Sequence, residues 1–256
     1  MIRLRRLAGK AARHARRYVE RRTLVVILLL SGLGWGFAQL ADETREGETH
    51  AFDAAVLLAL RNPADPADPL GPPWIQELGR DITALGGIGV LIGITLVVAG
   101  YLWLDRRSLE MWVVLAAVAT GQAASTLAKL GFDRPRPDLV PHGVVTYTSS
   151  FPSGHAMMAA VTYLTLAALL ARSQPTRALK IYILAVAIFV TLAVGVSRVY
   201  LGVHWPTDVL AGWAAGAGWA LIWWTIADRI LPRNGAPEKT PAERRDRPGD
   251  APRNGP

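Results

Sequence analysis

The sequence has no cysteine among its 256 residues. This absence excludes disulfide bonds, thiolate nucleophiles and cysteine-ligated metals from its chemistry. Charged residues are also scarce, at 19%, whereas 51% of the residues are hydrophobic and the mean hydropathy is +0.25. An ordinary soluble domain carries more charge, so the composition indicates a membrane protein.

Acidic residues are almost missing from the start of the chain. Residues 1–22 hold nine Lys or Arg and one acid, Glu20, so this segment carries the whole net charge of +8 and the rest of the chain is neutral. Because an apolar run follows directly, we interpret the segment as a cytoplasmic topology signal that touches anionic lipid headgroups. Nucleic-acid binding is the weaker interpretation, and no nucleic-acid partner is expected.

Six apolar runs are each close to the roughly 20 residues that cross a bilayer. They lie at 23–41, 82–104, 110–130, 155–171, 178–198 and 208–231. The sequence therefore predicts an all-α, polytopic membrane bundle of about six transmembrane helices over residues 23–231. We interpret the first run as an uncleaved anchor. The tail 232–256 is rich in Pro, Arg, Glu and Asp, and is predicted to be disordered.

Residues 42–81, between the first two runs, are polar and acid-rich. Phe52, Val56, Leu57 and Leu60 recur there at helical spacing, which predicts a short helix at the membrane interface. The proline-rich stretch 62–69 predicts a loop with several turns.

The placement of Lys and Arg predicts cytoplasmic N- and C-termini. Basic segments 105–110 and 172–180 then face the cytoplasm, and 42–81 faces outward. The other outward segments also contain Lys and Arg, although these residues normally concentrate on the cytoplasmic side, and anion binding is the natural reason for them. A bacterial inner membrane, with these segments facing the periplasm, suits this topology.

Three polar clusters stand at the ends of the later apolar runs, and the topology brings them to one face. They are Lys129-x6-Arg136-Pro137, Pro152-Ser153-Gly154-His155 and Ser197-Arg198-x5-His204-x3-Asp208. Taken alone, each has an equally good or better structural explanation: a helix cap, a histidine at the interface, or a cation that reaches the headgroups.

The residue types also suit phosphoryl chemistry. Ser153 is a good N-cap and Gly154 allows close backbone approach, so the helix that follows can offer N–H groups to an anion. Asp208 lies four residues after His204 and can reach one ring nitrogen, which leaves the other free to attack.

The remaining cations supply charge for phosphate oxygens. Arg136 and Arg198 offer forks that match phosphate, and Lys129 offers a point charge. Arg134 is interpreted as a bystander.

The ordered pattern Lys-x6-Arg-Pro, Pro-Ser-Gly-His and Ser-Arg-x5-His-x3-Asp resembles the signature of the type-2 phosphatidic acid phosphatase superfamily, which includes vanadium haloperoxidases. The resemblance implies a membrane phosphatase that needs no metal or cofactor. Its substrate would be a lipid phosphate monoester or an isoprenoid pyrophosphate, of the phosphatidic acid, phosphatidylglycerol phosphate or undecaprenyl pyrophosphate class.

The resemblance also implies a role for each motif residue. His204 is the nucleophile that forms a phosphohistidine, Asp208 orients it, and His155 protonates the leaving oxygen and then helps to activate water. The phosphoryl oxygens are held by Lys129, Arg136, Arg198, Ser153 and the N–H of Gly154.

Three other functions agree with the same sequence. A lipid phosphotransferase would use the same phosphohistidine with an acceptor other than water, and a non-catalytic lipid-phosphate binder would keep only the pocket. A vanadate haloperoxidase ranks low, because the resemblance associates that chemistry with soluble proteins. The sequence leaves the oligomeric state open.

Overall fold

The computed structural model describes residues 2–141 and 148–231, with side chains from residue 21 onward. The tail predicted to be disordered lies outside this range, as do most side chains of the basic segment. The helices and the single strand pair of the described part are α1 (Ile2–Glu46), α2 (His50–Leu58), β1 (Arg61–Asn62), β2 (Asp65–Pro69), α3 (Pro73–Ala84), α4 (Ile88–Leu104), α5 (Ser108–Leu130), α6 (Gly154–Arg172), α7 (Arg177–Tyr200) and α8 (Pro206–Ile230).

The predicted helical membrane bundle is confirmed. Among the described residues, five helices are long and apolar enough to cross a membrane: the Arg21–Glu46 part of α1, and α5, α6, α7 and α8. The pair α3 and α4 adds a sixth crossing if it is taken as one span.

The second crossing differs from the single run expected at 82–104. α3 and α4 are bent by 50° at the break between them. The break contains Gly86 and Gly87, and two successive glycines disfavour a continuous helix. As a result, the C-terminal end of α3 turns toward α7, where the side chain of Thr83 accepts a hydrogen bond from Arg198.

α6 lies at the centre of the bundle. It packs against α4, α5, α7 and α8, whereas α1 packs mainly on α8. The apolar window of α6 is 61% buried, against 6% for that of α1. At Gly212 of α8, a Cβ would come within 2.7 Å of the carbonyl oxygen of Ser153, so the missing side chain lets the N-terminal ends of α6 and α8 meet.

The segment after α1 covers the same end of the bundle. α2 confirms the predicted short helix, and its Leu57 is fully buried against residues that include Trp205 and Val209. The predicted turn-rich loop is a two-stranded hairpin, and the side chain of Arg61 fixes it to the end of α7 by donating to the carbonyl oxygen of Tyr200 at 2.9 Å. Sequence reasoning did not predict α3.

Candidate active site

The three polar clusters meet at one end of the bundle. Lys129 lies in the last turn of α5 and Arg198 in the last turn of α7. His155 lies in the first turn of α6, and Asp208 in the first turn of α8. His155 and Lys129 line the same cavity, and Arg198 and Arg136 lie near enough to His155 to act on it electrostatically.

The turn after α7 brings His204 back toward Arg198. Gly202 has a φ of +74°, a conformation that favours glycine. The N–H of Val203 donates to the carbonyl oxygen of Arg198 at 3.1 Å, and the N–H of Gly202 donates to that of Val199 at 2.9 Å. These two bonds form a Schellman motif, which ends α7 sharply. Pro206 then starts α8, a position at which proline loses no helical hydrogen bond.

The histidine and the aspartate of the third cluster form a buried pair. Nδ1 of His204 lies 3.4 Å from Oδ2 of Asp208, and the two side chains are 2% and 0% exposed. On the other side of the ring, Nη1 of Arg136 lies 3.2 Å from Nε2. A guanidinium can only donate, so Nε2 is the acceptor and Nδ1 carries the proton. The lone pair of Nε2 therefore points toward Arg136.

The pKa of His204 agrees with this arrangement. The pKa is lowered to about 3, mainly by burial; the charges of Arg198 and Arg136 also lower it, and the hydrogen bond and charge of Asp208 oppose the shift. An imidazole with that pKa is neutral at pH 7, the form in which a ring nitrogen can act as a nucleophile. Burial also lowers the pKa of Arg136, but a guanidinium keeps its charge at neutral pH.

Two of the three cations are fixed by carbonyl oxygens. Nζ of Lys129 donates to the carbonyl oxygen of Ser149 at 2.7 Å. Nη1 of Arg136 donates to that of Val203 at 2.7 Å, and Nε donates to that of Thr148 at 3.1 Å. These bonds fix both side chains without cancelling their charge.

Arg198 and Ser153 are buried and only partly satisfied. Nη1 of Arg198 donates to Oγ1 of Thr83 at 3.0 Å, but its Nε has no hydrogen-bond partner among the described residues. Ser153 occupies the predicted N-cap position of α6, yet its hydroxyl makes no cap bond and has no partner in the described part of the chain. Buried polar groups are normally paired, so both can accept a ligand.

A cavity of about 630 Å³ opens at this end of the bundle, and its walls include Lys129, Gly154 and His155. Apolar side chains, among them Leu91 and Met158, form another part of its walls. A second, mostly apolar cavity of about 290 Å³ shares these two residues and continues between α4 and α5.

Known proteins share sequence and fold with this chain. The sequence model of the PAP2 superfamily matches residues 110–231, which contain all three clusters. Phosphatidylglycerophosphatase B of Bacillus subtilis (strain 168) is 35% identical over 147 residues, which make up 56% of this chain and 71% of that protein. The chain belongs to the PAP2 superfamily.

Two further comparisons agree with this assignment. The lipid A 1-phosphatase of Rhizobium etli is 28% identical over 174 residues, or 59% of this chain and 71% of that protein. The crystal structure of a transmembrane PAP2-type phosphatidylglycerolphosphate phosphatase from Bacillus subtilis superposes with a TM-score of 0.72 at 28% identity, over 78% of this chain and 96% of that one. The present chain is an integral membrane phosphatase.

Sequence reasoning missed three polar residues of this PAP2 site. The hydroxyl of Ser150 donates to Oδ2 of Asp208. Arg134, interpreted as a bystander, is instead bound to both Asp208 and Asp53. Asp53 carried a signal, because it lies one helical turn before the buried Leu57 and so shares the inner face of α2.

Proposed function

We propose that this PAP2 phosphatase hydrolyses a lipid phosphate monoester or an isoprenoid pyrophosphate at the outer face of a bacterial inner membrane, through a phosphohistidine on His204. The observation that carries the proposal is the arrangement around Nε2 of His204. The lone pair of a neutral imidazole faces Arg136, and the charge of Arg198 also acts on the ring. Two buried polar atoms of the same motifs, Nε of Arg198 and Oγ of Ser153, have no partner in the described structure.

The first half-reaction transfers the phosphoryl group to the enzyme. Nε2 of His204 attacks phosphorus, and the P–O bond to the lipid breaks as His155, which must be in its imidazolium form at this step, gives its proton to the leaving oxygen. The ring of His204 becomes cationic, and Asp208 stabilises this charge through Nδ1–H. The phosphoryl oxygens bind Lys129, Arg136, Arg198, the Ser153 hydroxyl and the N–H of Gly154.

The second half-reaction releases phosphate. His155, now neutral, removes a proton from a water molecule, which attacks the phosphorus. The P–N bond breaks, the electron pair returns to Nε2 of His204, and the enzyme is restored. Every step uses a side chain of this chain and water.

The cavities support a lipid substrate. The larger one begins at Lys129 and His155, and the apolar one continues from it along α4 and α5, which are membrane-crossing elements. A headgroup phosphate at the cations would leave the lipid tail in apolar surroundings. The names of the relatives, a phosphatidylglycerophosphatase and a lipid A phosphatase, agree with a lipid phosphate.

The placement of basic residues supports the outer face. Arg106, Arg107 and Arg172 lie at the end of the bundle opposite the site, and the basic N-terminal segment leads into that end of α1. If this end is cytoplasmic, the site faces outward.

The test is phosphate release by the purified protein in detergent with EDTA present, measured on a panel of lipid phosphates and pyrophosphates. We expect release from one lipid class, and loss of that release in His204→Ala. His50→Ala is the matched control, since His50 is an exposed histidine of α2 on the same side of the molecule. An acid-labile ³²P label on the wild type and its absence from His204→Ala would support the phosphohistidine.

Other outcomes would redirect the proposal. A new phospho-product without free phosphate would indicate a phosphotransferase. Binding without turnover would indicate a carrier, and loss of activity in EDTA would contradict the metal-free mechanism. Substrate added to the outside of right-side-out vesicles tests the sidedness.

A further inference from the structure

Asp53 is a buried carboxylate that the proposed reaction does not use. It lies on α2, far from the motifs in sequence, and its side chain is 0% exposed. Its Oδ1 accepts from the backbone N–H of Thr207 at 2.9 Å. Its Oδ2 accepts from the hydroxyl of Thr207 at 2.7 Å and from Nη2 of Arg134 at 2.6 Å. Asp53 is therefore joined to the first turn of α8 and to a cation.

Arg134 connects Asp53 to Asp208. While Nη2 donates to Asp53, Nη1 donates to Oδ1 of Asp208 at 2.5 Å and to the hydroxyl of Thr207 at 2.9 Å. Nη2 also reaches the hydroxyl of Thr49 at 3.2 Å. The guanidinium thus uses both ends of its fork on buried carboxylates, and its plane is fixed by them.

The two oxygens of Asp208 have separate tasks. Oδ1 lies on Arg134, whereas Oδ2 accepts from the backbone N–H of Trp205 at 3.0 Å and faces Nδ1 of His204 at 3.4 Å. Ser150 also donates to Oδ2. Rotation of the carboxylate would break the contact with Arg134, so that contact keeps Oδ2 directed at the imidazole.

The charges of Asp53, Arg134 and Asp208 also support a role in orienting and stabilising His204. Arg134 alone would neutralise Asp208, because one cation would face one anion. With Asp53 on its other end, the group of two carboxylates and one guanidinium keeps a net charge of −1. That negative charge can stabilise the imidazole ring of His204 when the ring becomes cationic.

We propose that Asp53 and Arg134 are positioning residues, which hold the carboxylate of Asp208 so that His204 keeps its proton on Nδ1 and its lone pair on Nε2. The proposal deepens the proposed function and rests on His204 as the nucleophile. It also gives residues 42–81 a role, because their helix α2 places Asp53 against Arg134. We call the connected side chains of Asp53, Arg134, Asp208 and His204 the relay.

The competing role is purely structural. Asp53 accepts an N–H at the start of α8, so it could act as a helix cap and contribute only to stability. Asp53→Asn separates the two roles, because an amide oxygen can still accept from Thr207 while the charge facing Arg134 is lost. The control is Asp65→Asn, an exposed acid on the hairpin of the same outer segment.

We expect Asp53→Asn to lower kcat by about 10- to 100-fold, the range found for partners that orient a metal-binding histidine. KM should stay within about twofold, because Asp53 does not touch the substrate. Asp65→Asn should match the wild type. A variant that loses thermal stability and keeps its kcat would establish the cap role and overturn the proposal, as would a rise in KM at unchanged kcat.

A second variant covers the case in which Asp53→Asn does not fold. Arg134→Lys keeps the positive charge but cannot bind both carboxylates at once, so it should lower kcat while KM stays constant. If Asp53 acts only through Arg134, the double variant should be no slower than the slower single variant. If the reductions in kcat of the two single variants multiply in the double variant, the two residues act independently, and the relay is contradicted.

Nitrogen-15 NMR of the histidines tests the relay without turnover. In the wild type, His204 should be protonated on Nδ1 alone, and in Asp53→Asn the Nε2-protonated tautomer should appear. An unchanged tautomer in the variant would contradict the relay. A wild type that releases no phosphate from any lipid would instead defeat the proposed function, so the two failures are distinguishable.

Discussion

The three motif cations at the site end and the arginines at the opposite end of the bundle are held in different ways. At the end away from the site, arginines are paired with acids, in the contacts Arg107–Glu110, Arg22–Asp228 at 2.8 Å and Arg172–Asp228 at 3.0 Å. At the site end, Lys129, Arg136 and Arg198 donate to carbonyl and hydroxyl oxygens. In the described part of the chain none of these three forms an ion pair with a carboxylate.

This difference separates charges that stabilise the fold from charges that are kept for a ligand. An arginine on a carboxylate is neutral as a pair, and its contribution is to stability. A cation on carbonyl oxygens is fixed in position but keeps its full charge, and burying such a charge is unfavourable by itself. The site end therefore carries a positive potential that an anionic phosphoryl group would compensate.

The largest effect should come from Arg198, which is 3% exposed. Arg198→Met removes a fixed fork at the phosphoryl site, and we expect kcat/KM to fall by about 10³-fold, as for loss of a transition-state donor. Arg107→Met makes the same change at the opposite end and should leave kcat/KM within about twofold. Similar losses of kcat/KM in Arg198→Met and Arg107→Met would contradict the distinction between unpaired and paired cations.

Lys129→Met should have the next largest effect. Lys129 is a half-buried point charge rather than a fork, so we expect kcat/KM to fall by about 10²-fold. Inhibition by inorganic vanadate, a phosphate analogue, should weaken in parallel. Lys180→Met, near the start of α7 at the other end, is the matched control. Unchanged vanadate inhibition in Lys129→Met would place Lys129 outside the anion site.

The sequence predicted the motif residues because their chemistry and spacing are local. His204 and Asp208 are four residues apart, and one helical turn brings them together. Residues joined only by tertiary structure could not be found in this way. Arg134 and Asp53 are 81 positions apart, and Thr83 reaches Arg198 only because α3 and α4 are bent. The spans followed from hydropathy, whereas that bend depends on packing.

The unpaired cations also act on His204, and this gives a pH prediction. The folded-state pKa of His204 lies below its ordinary value of about 6.5 and is lowered to about 3, mainly by burial. The unfolded chain therefore binds the proton more readily, so this residue's contribution to stability is complete above pH ~6.5 and is lost as the pH falls from there toward about 3.

Thermal midpoints measured from pH 7 to pH 4 test whether this contribution to stability is lost as the pH falls. The wild type should lose more stability than His204→Gln over that interval, since glutamine does not titrate. His50→Gln should follow the wild type. If wild type and His204→Gln lose stability equally, His204 does not stay neutral in the folded protein.

Thr83→Val tests how Arg198 is held. The change keeps the shape of the side chain but removes the only acceptor that Arg198 has among the described side chains. We expect kcat/KM to fall about fivefold, which corresponds to about 1 kcal/mol for one hydrogen bond. Thr95→Val is the control, because the hydroxyl of Thr95 bonds only within α4, to the carbonyl oxygen of Leu91 at 2.7 Å. A loss as large as that of Arg198→Met would mean that Thr83 is itself part of the anion site.

Asp228→Asn should have the smallest effect and no effect on catalysis. The carboxylate binds Arg22 of α1 and Arg172 of α6, and these side chains are 31% and 19% exposed. Solvent screens such a pair, so its loss should cost about 1 kcal/mol and lower the thermal midpoint by about 2–4 °C. kcat/KM should not change, because no unpaired charge at the site is altered. If kcat/KM fell together with the midpoint, the two ends would be coupled, and the division between structural and functional cations would fail.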